Sequence, residues 1–212
     1  MSRKAELIKL FQEFKDRYVT VQTKVTEISQ SDAYTQIGKE ETIKRTLEEF
    51  KPTIQLYHDK AITVIDNGLT ALMEKWKSNS AGRLKDAGYQ IGLGNVLKMI
   101  ESGAIHDKDD MENIIDIYKD DYNAIATIGN ILSKNSETRE MIYMLPVDNR
   151  DHNKKLLGDL RNNVDLHMNP SMAEMGLNTG YPLLGASSTA LSMDSMAEFV
   201  NSRLADDLSL VE

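Results

Sequence analysis

Apolar side chains recur at Leu7, Phe11, Phe14, Tyr18, Val21, Val25 and Ile28, at alternating intervals of four and three residues. That rhythm is the a/d seam of a coiled coil held for three heptads, with Lys9, Glu13, Lys15 and Asp16 lying off it. It predicts a long helix with one continuous apolar edge. Such an edge is covered either by the rest of its own chain or by a second helix from outside, and here it is taken as a candidate oligomer seam. Polar Ser29-Gln-Ser-Asp32 interrupts it.

A second helical stretch runs from Lys39 to Phe50, with Ile43, Leu47 and Phe50 on one face. Pro52 marks a kink or the first turn of a third helix. In that helix Ile62, Ile65, Leu69, Leu72 and Trp76 repeat the same spacing up to Ser78-Asn-Ser80. Residues 1–80 therefore read as a long-helix, coiled-coil-like hairpin.

Residues 81–167 carry shorter periodic segments with sharper punctuation. The first spans Ala87 to Glu101 and contains Gly88, Gly92 and Gly94. Each glycine costs a helix about 1 kcal/mol relative to alanine, which points to close approach of another backbone. Asp107 reads as an N-cap, with Asp109, Asp110 and Glu112 in the first turn, where the helix dipole favours negative charge. Further helices are expected from Asp121 to Ser133, from a Ser136 cap to Met144, and over 151–167 with Leu156, Leu157, Leu160 and Val164 inward.

Beyond residue 167 the character changes. Residues 168–191 are rich in Gly, Pro, Ser and Met, which is loop chemistry. Yet they include Met172, Met175, Leu177, Tyr181 and Leu184, too apolar for a solvated linker. Residues 168–212 are thus expected to be an arm that docks through those five side chains, followed by a terminal helix over 193–210. Nothing shows the strict alternation of a strand, so the fold class is all-α.

Composition narrows the function classes. The chain has 212 residues and a net charge of −8. Its basic residues form no stripe, which argues against a nucleic-acid partner or an anionic membrane surface. There is no cysteine, and so neither a disulfide framework nor a thiolate metal site. No signal-type leader and no run of about 18 apolar residues occur. The expected partner set therefore excludes nucleic acid and membrane, and the expected compartment is the cytoplasm.

Catalytic chemistry finds no candidate. His58, His106, His152 and His167 stand apart from one another. His106 with Asp107, Asp109 and Asp110 lacks the spacing and closing glutamate of a calcium loop. Gly92-Leu-Gly94 lacks the third glycine and the leading strand of a dinucleotide fingerprint. No catalytic, metal or cofactor-binding residue is assigned, and no cofactor is expected.

One stretch carries a resemblance. Tyr89-Gln-Ile-Gly-Leu-Gly-Asn-Val-Leu-Lys-Met-Ile-Glu-Ser-Gly103, the acidic-capped helix after it, and Tyr118-Lys-Asp-Asp-Tyr-Asn-Ala-Ile-Ala-Thr-Ile-Gly129 follow one another in order. Together they resemble helical virion-structure or head-associated proteins of tailed phages of Gram-positive bacteria. The resemblance implies a non-enzymatic structural or assembly protein. Its partners would be its own copies or other virion proteins, in the host cytoplasm and in the assembled particle. The alternative is a helical binding module (an adaptor, regulator or inhibitor) that acts on a different protein.

Overall fold

Ser2 opens the first helix by accepting a hydrogen bond from the Ala5 amide at 3.2 Å, which satisfies one of the amides a helix start leaves orphaned. The structure, a computed structural model, describes residues 1–105, 107–171 and 182–211, with the backbone alone for 182–188. The described elements are α1 (Arg3–Gln30), α2 (Gln36–Asn79), α3 (Ala87–Glu101), α4 (Lys108–Tyr118), α5 (Tyr122–Leu132), α6 (Arg150–His167) and α7 (Pro182–Arg203). Two 3-10 turns, Ala81–Lys85 and Arg139–Met144, join them. The fold is all-α, and no strand occurs among the described residues.

Residues 1–70 and 151–212 pack together as one unit, and 71–150 form another. In the first, α1 and α2 are antiparallel: Lys39 reaches the Ser29 carbonyl at 3.0 Å, and the Phe14 ring faces Phe50 and Tyr57. α2 and α6 are antiparallel too, linked by His58 with Asp165 and by Asp66 with Arg161. α7 runs back along α1, with Lys15 bonded to Asp194 at 2.6 Å and Lys4 to the Asn201 carbonyl at 2.7 Å. The result is an up-down-up-down arrangement of four helices around one apolar core. Leu7, Leu10, Phe11, Phe14, Tyr18, Val25 and Ile28 supply the α1 side, and Met193, Met196, Val200 and Leu204 the α7 side.

The chain ends in a hook. Leu204 and Leu210 form an isolated antiparallel bridge, and Leu208 takes a left-handed backbone at φ 71°. This turns its fully buried side chain onto Gly68 of α2. A β-carbon at Gly68 would lie 2.5 Å from a Leu208 methyl, so glycine is what admits the plug. The buried Asn153 amide donates to the Leu208 carbonyl at 3.1 Å and holds the turn.

The second unit has its own core: Ile100, Ile105, Met111, Ile114, Tyr118, Ala124, Ile125, Ile128, Ile131, Leu132 and Met141. Asp107 caps α4 and Asp121 caps α5. Residues 89–105 and 107–129 lie in α3, α4 and α5 of this unit and the turns between them.

Three differences from the sequence reading have physical causes. α2 passes through Pro52 as one helix. Its buried edge near the middle runs through Ala61, Val64, Ile65 and Gly68, while Ile62 and Leu69 are half-buried, because small residues let neighbouring elements come close. The segment expected to be capped by Ser136 is a 3-10 turn after Thr138. Finally, α7 begins at Pro182, so residues 182–191 are helical and not an extended arm; proline suits a first helical turn. Packing also divides the chain differently from the boundaries at 80 and 167, since α6 joins α1, α2 and α7.

Candidate interaction surfaces

The heptad seam of α1 is used inside the chain. Leu7, Phe11, Phe14 and Tyr18 are fully buried, and Val25 and Ile28 nearly so. Phe14 sits among the rings of Tyr18, Phe50 and Tyr57 at centroid distances of 5.9, 6.5 and 5.9 Å. Burial pushes the Tyr18 hydroxyl above its ordinary pKa, against a hydrogen bond with Thr189 of α7. Val21 alone of the seven is only half-buried. The seam offers no bare apolar edge to a second copy. Of the arm, Met172, Met175, Leu177 and Tyr181 lie outside the described residues, as does the side chain of Leu184.

A bare edge does exist on α3. Asp86 caps the helix by accepting from the Tyr89 amide at 3.0 Å. Tyr89, Leu93, Val96, Leu97 and Ile100 turn toward the core of the second unit. The opposite face reads Ala87, Gly88, Ile91, Gly94, Asn95, Lys98 and Met99. Ile91 is 64% exposed and Met99 44% exposed, and both Lys98 and Glu101 of the last turn are exposed too. A surface helix ordinarily shows a charged outer face, whereas a helix apolar on all sides is ordinarily buried. α3 leaves Ile91 and Met99 in solvent, and Ile100 is its one fully covered residue.

Its glycines sharpen the point. A β-carbon at Gly94 would meet nothing within 4 Å, and one at Gly88 only the cap oxygen of Asp86. Nothing described in the chain requires glycine at these two positions, although each costs the helix about 1 kcal/mol. The neighbouring α4 shows the ordinary pattern, presenting Asp109, Glu112, Asn113 and Asp116 to solvent.

Beside α4 lies a groove of about 300 Å³ lined by Glu112, Ile115, Asp116 and Met144. Two carboxylates and two apolar side chains share its lining. Asp121, which caps α5, is buried and also accepts from the Tyr89 hydroxyl at 2.8 Å. Burial and then the Asp121 carboxylate push Tyr89 up to about 12, so its proton stays on and holds α3 to α5.

Within the first unit, a cleft of about 390 Å³ opens between α6 and α7. Leu160, Met196 and Phe199 form its apolar side, and Asp159, Asn163 and Ser195 its polar side. His167 also borders it and is held below its ordinary pKa by burial.

His58 is the other histidine with a defined setting. Its Nε2 lies 2.8 Å from Asp165 and its Nδ1 3.0 Å from Asp59. Asp165 also accepts from Arg161 at 3.2 Å, and Asp59 from Gln55 at 2.7 Å. Burial alone would lower the imidazole, but hydrogen bonds and charge from the two carboxylates outweigh it and leave the pKa raised. Both ring nitrogens are engaged, which makes His58 a tie between α2 and α6. His106 lies outside the described residues, and no cluster of three metal-ligating side chains occurs among those described. Among the described residues no helix is long and apolar enough to cross a membrane. No protein-family model, no curated protein and no solved structure matches the chain.

Proposed function

We propose that this protein is a non-enzymatic structural or assembly component that works through contacts between copies of itself. The observation that carries the reading is the outer face of α3, where Ile91 and Met99 are exposed and Gly94 has open space where a β-carbon would stand. Leaving such a face in water forgoes the stabilisation its burial would give, about 25 cal/mol per Å² of apolar surface. A second copy that covers it recovers that term. The resemblance of residues 89–129 to head-associated phage proteins points the same way, to assembly in a host cytoplasm and inside a particle.

Solution mass tests the reading. Light scattering across a concentration series should give a mass above the 23.9 kDa of one chain, rising with concentration. A strict monomer up to high micromolar concentration overturns it. That outcome is what the second reading, a binding module for a different protein, requires. The second reading draws on the internal use of the α1 seam, which removes one reason for self-association, and on the carboxylates along α4, suited to steering a basic partner.

A further inference from the structure

We infer that the C-terminal hook, residues 205–211, is a latch that opens and closes as a unit on a socket made by Gly68 of α2 and Asn153 of α6, while the helices beneath it stay folded. The device belongs to one chain and needs no second copy. Its socket stands where the chain leaves the first unit and returns to it. Gly68 comes just before residue 70, the end of the unit's first stretch, and Asn153 just after 151, the start of its second. The closed hook therefore ties the departing helix to the returning one.

The hook is braced against itself. The Ala205 amide donates to the Ser209 carbonyl at 2.7 Å, the Leu208 amide to the Ala205 carbonyl at 2.9 Å and the Val211 amide to the Arg203 carbonyl at 3.0 Å. Asp207 accepts from the Ser209 amide at 3.0 Å. Such a cross-bonded turn moves as one piece, because losing any of these bonds loosens the rest. Its hold on the bundle is narrower. Leu208 is the one buried side chain of 205–211, and it seats on Gly68 with Arg3 beside it. Beyond that plug, the Leu208 carbonyl accepts from Asn153 at 3.1 Å and the Asp206 carbonyl from the Lys4 amide at 3.4 Å.

Two opposed effects meet at the plug. Burying a leucine side chain favours closure. The left-handed backbone at φ 71°, which leucine rarely adopts, favours release. A segment held by one strained anchor opens more readily than a helix core does. Glycine at 68 is the other half of the device. A β-carbon there would lie 2.5 Å from one Leu208 methyl carbon and 3.3 Å from its γ-carbon. A fully buried side chain has little room to turn aside except by leaving. Alanine, which ordinarily strengthens a helix relative to glycine, should here lift the hook.

Amide hydrogen exchange on the full chain, followed by nuclear magnetic resonance and corrected for intrinsic rates, tests the latch. Ala205, Leu208 and Val211 should exchange at one common rate, at least about tenfold faster than Phe14 of α1 and Ile54 of α2. Gly68→Ala should speed the hook amides at least about tenfold further, and so, separately, should Leu208→Gly, which accepts the left-handed backbone without the plug. Phe14 and Ile54 should stay within about threefold of the parent in both variants. The two substitutions approach the contact from opposite sides, so if circular dichroism shows that one fails to fold, the other still reads it. Hook amides that exchange no faster than Phe14 and Ile54 overturn the latch, because the hook then opens only with the whole bundle. Three unrelated hook rates overturn the single unit and describe a fraying end. A hook indifferent to either variant, or core amides accelerated as much as the hook, overturns the socket.

Discussion

At His58 two carboxylates share one imidazole, and the sign of the resulting pH effect can be worked out. The folded-state pKa lies above the ordinary 6.5, so the protonated form is favoured in the fold. Its contribution is complete below about pH 6.5 and is lost as pH rises through the folded value. Asp59 runs the other way. Hydrogen bonds from His58 and then Gln55 hold it below its ordinary 3.8, so its share persists above that value and fades as pH falls further. The tie between α2 and α6 is therefore strongest in mildly acidic solution. His58→Gln keeps a polar side chain but removes the charge. Denaturant unfolding should show a larger stability gap between parent and variant at pH 5.5 than at pH 8.5. A gap equal at the two pH values would mean that the imidazole is not charged in the fold. The sequence hides this site because its two halves lie on separate helices, with Asp165 107 residues beyond His58.

At the scale of the element, α1 separates what a periodic pattern reveals from what it withholds. The alternation of four and three places Leu7, Phe11, Phe14 and Tyr18 on one edge, and that edge is buried. The pattern does not say what covers it, since a helix of the same chain and one from a second copy demand the same spacing. The cover turns out to be α2 and α7. Phe14→Ala should thus destabilise the isolated chain by about 3–5 kcal/mol, because it removes a ring enclosed by three others. Val21→Ala, at the half-buried position, should cost about 1 kcal/mol or less. Urea unfolding in dilute solution, where no second copy contributes, separates the two. Equal costs would mean that the seam is covered only upon association. α3 shows the converse. Its glycines predicted close approach of another backbone, but among the described residues no neighbouring backbone lies within 4 Å of a β-carbon at Gly88, Gly92 or Gly94.

At the scale of the whole molecule, the boundaries drawn along the sequence at residues 80 and 167 give way to a division that brings distant segments together. Residues 1–70 pack with 151–212, and 71–150 keep a core of their own. The apolar edge of α6, with Leu157, Leu160 and Val164 buried, was readable. Which bundle it would join was not, since loop chemistry marks where helices end and not where the chain returns. The division makes a sharp prediction for a chain ending at Arg150. Removing 151–212 takes Met193, Val200, Leu204 and Leu208 away from the first unit, together with the Asp165 and Asp194 partners of His58 and Lys15. Left as a pair, α1 and α2 keep the aromatic contacts of Phe14 but lose the cover on their other sides. Most helical stability in a protein comes from such tertiary packing and not from propensity. The core of Ile100, Met111, Ile114, Ile128 and Leu132 loses nothing, because none of its members lies beyond residue 150. Hydrogen exchange on the truncated chain should find amides over 111–132 still protected and those over 5–28 exchanging at least about a hundredfold faster than in the full chain, as expected for a segment that opens locally while another stays closed. Retained protection over 5–28 would show that α1 and α2 suffice as a hairpin, and loss over both stretches would show that the second unit does not stand on its own core.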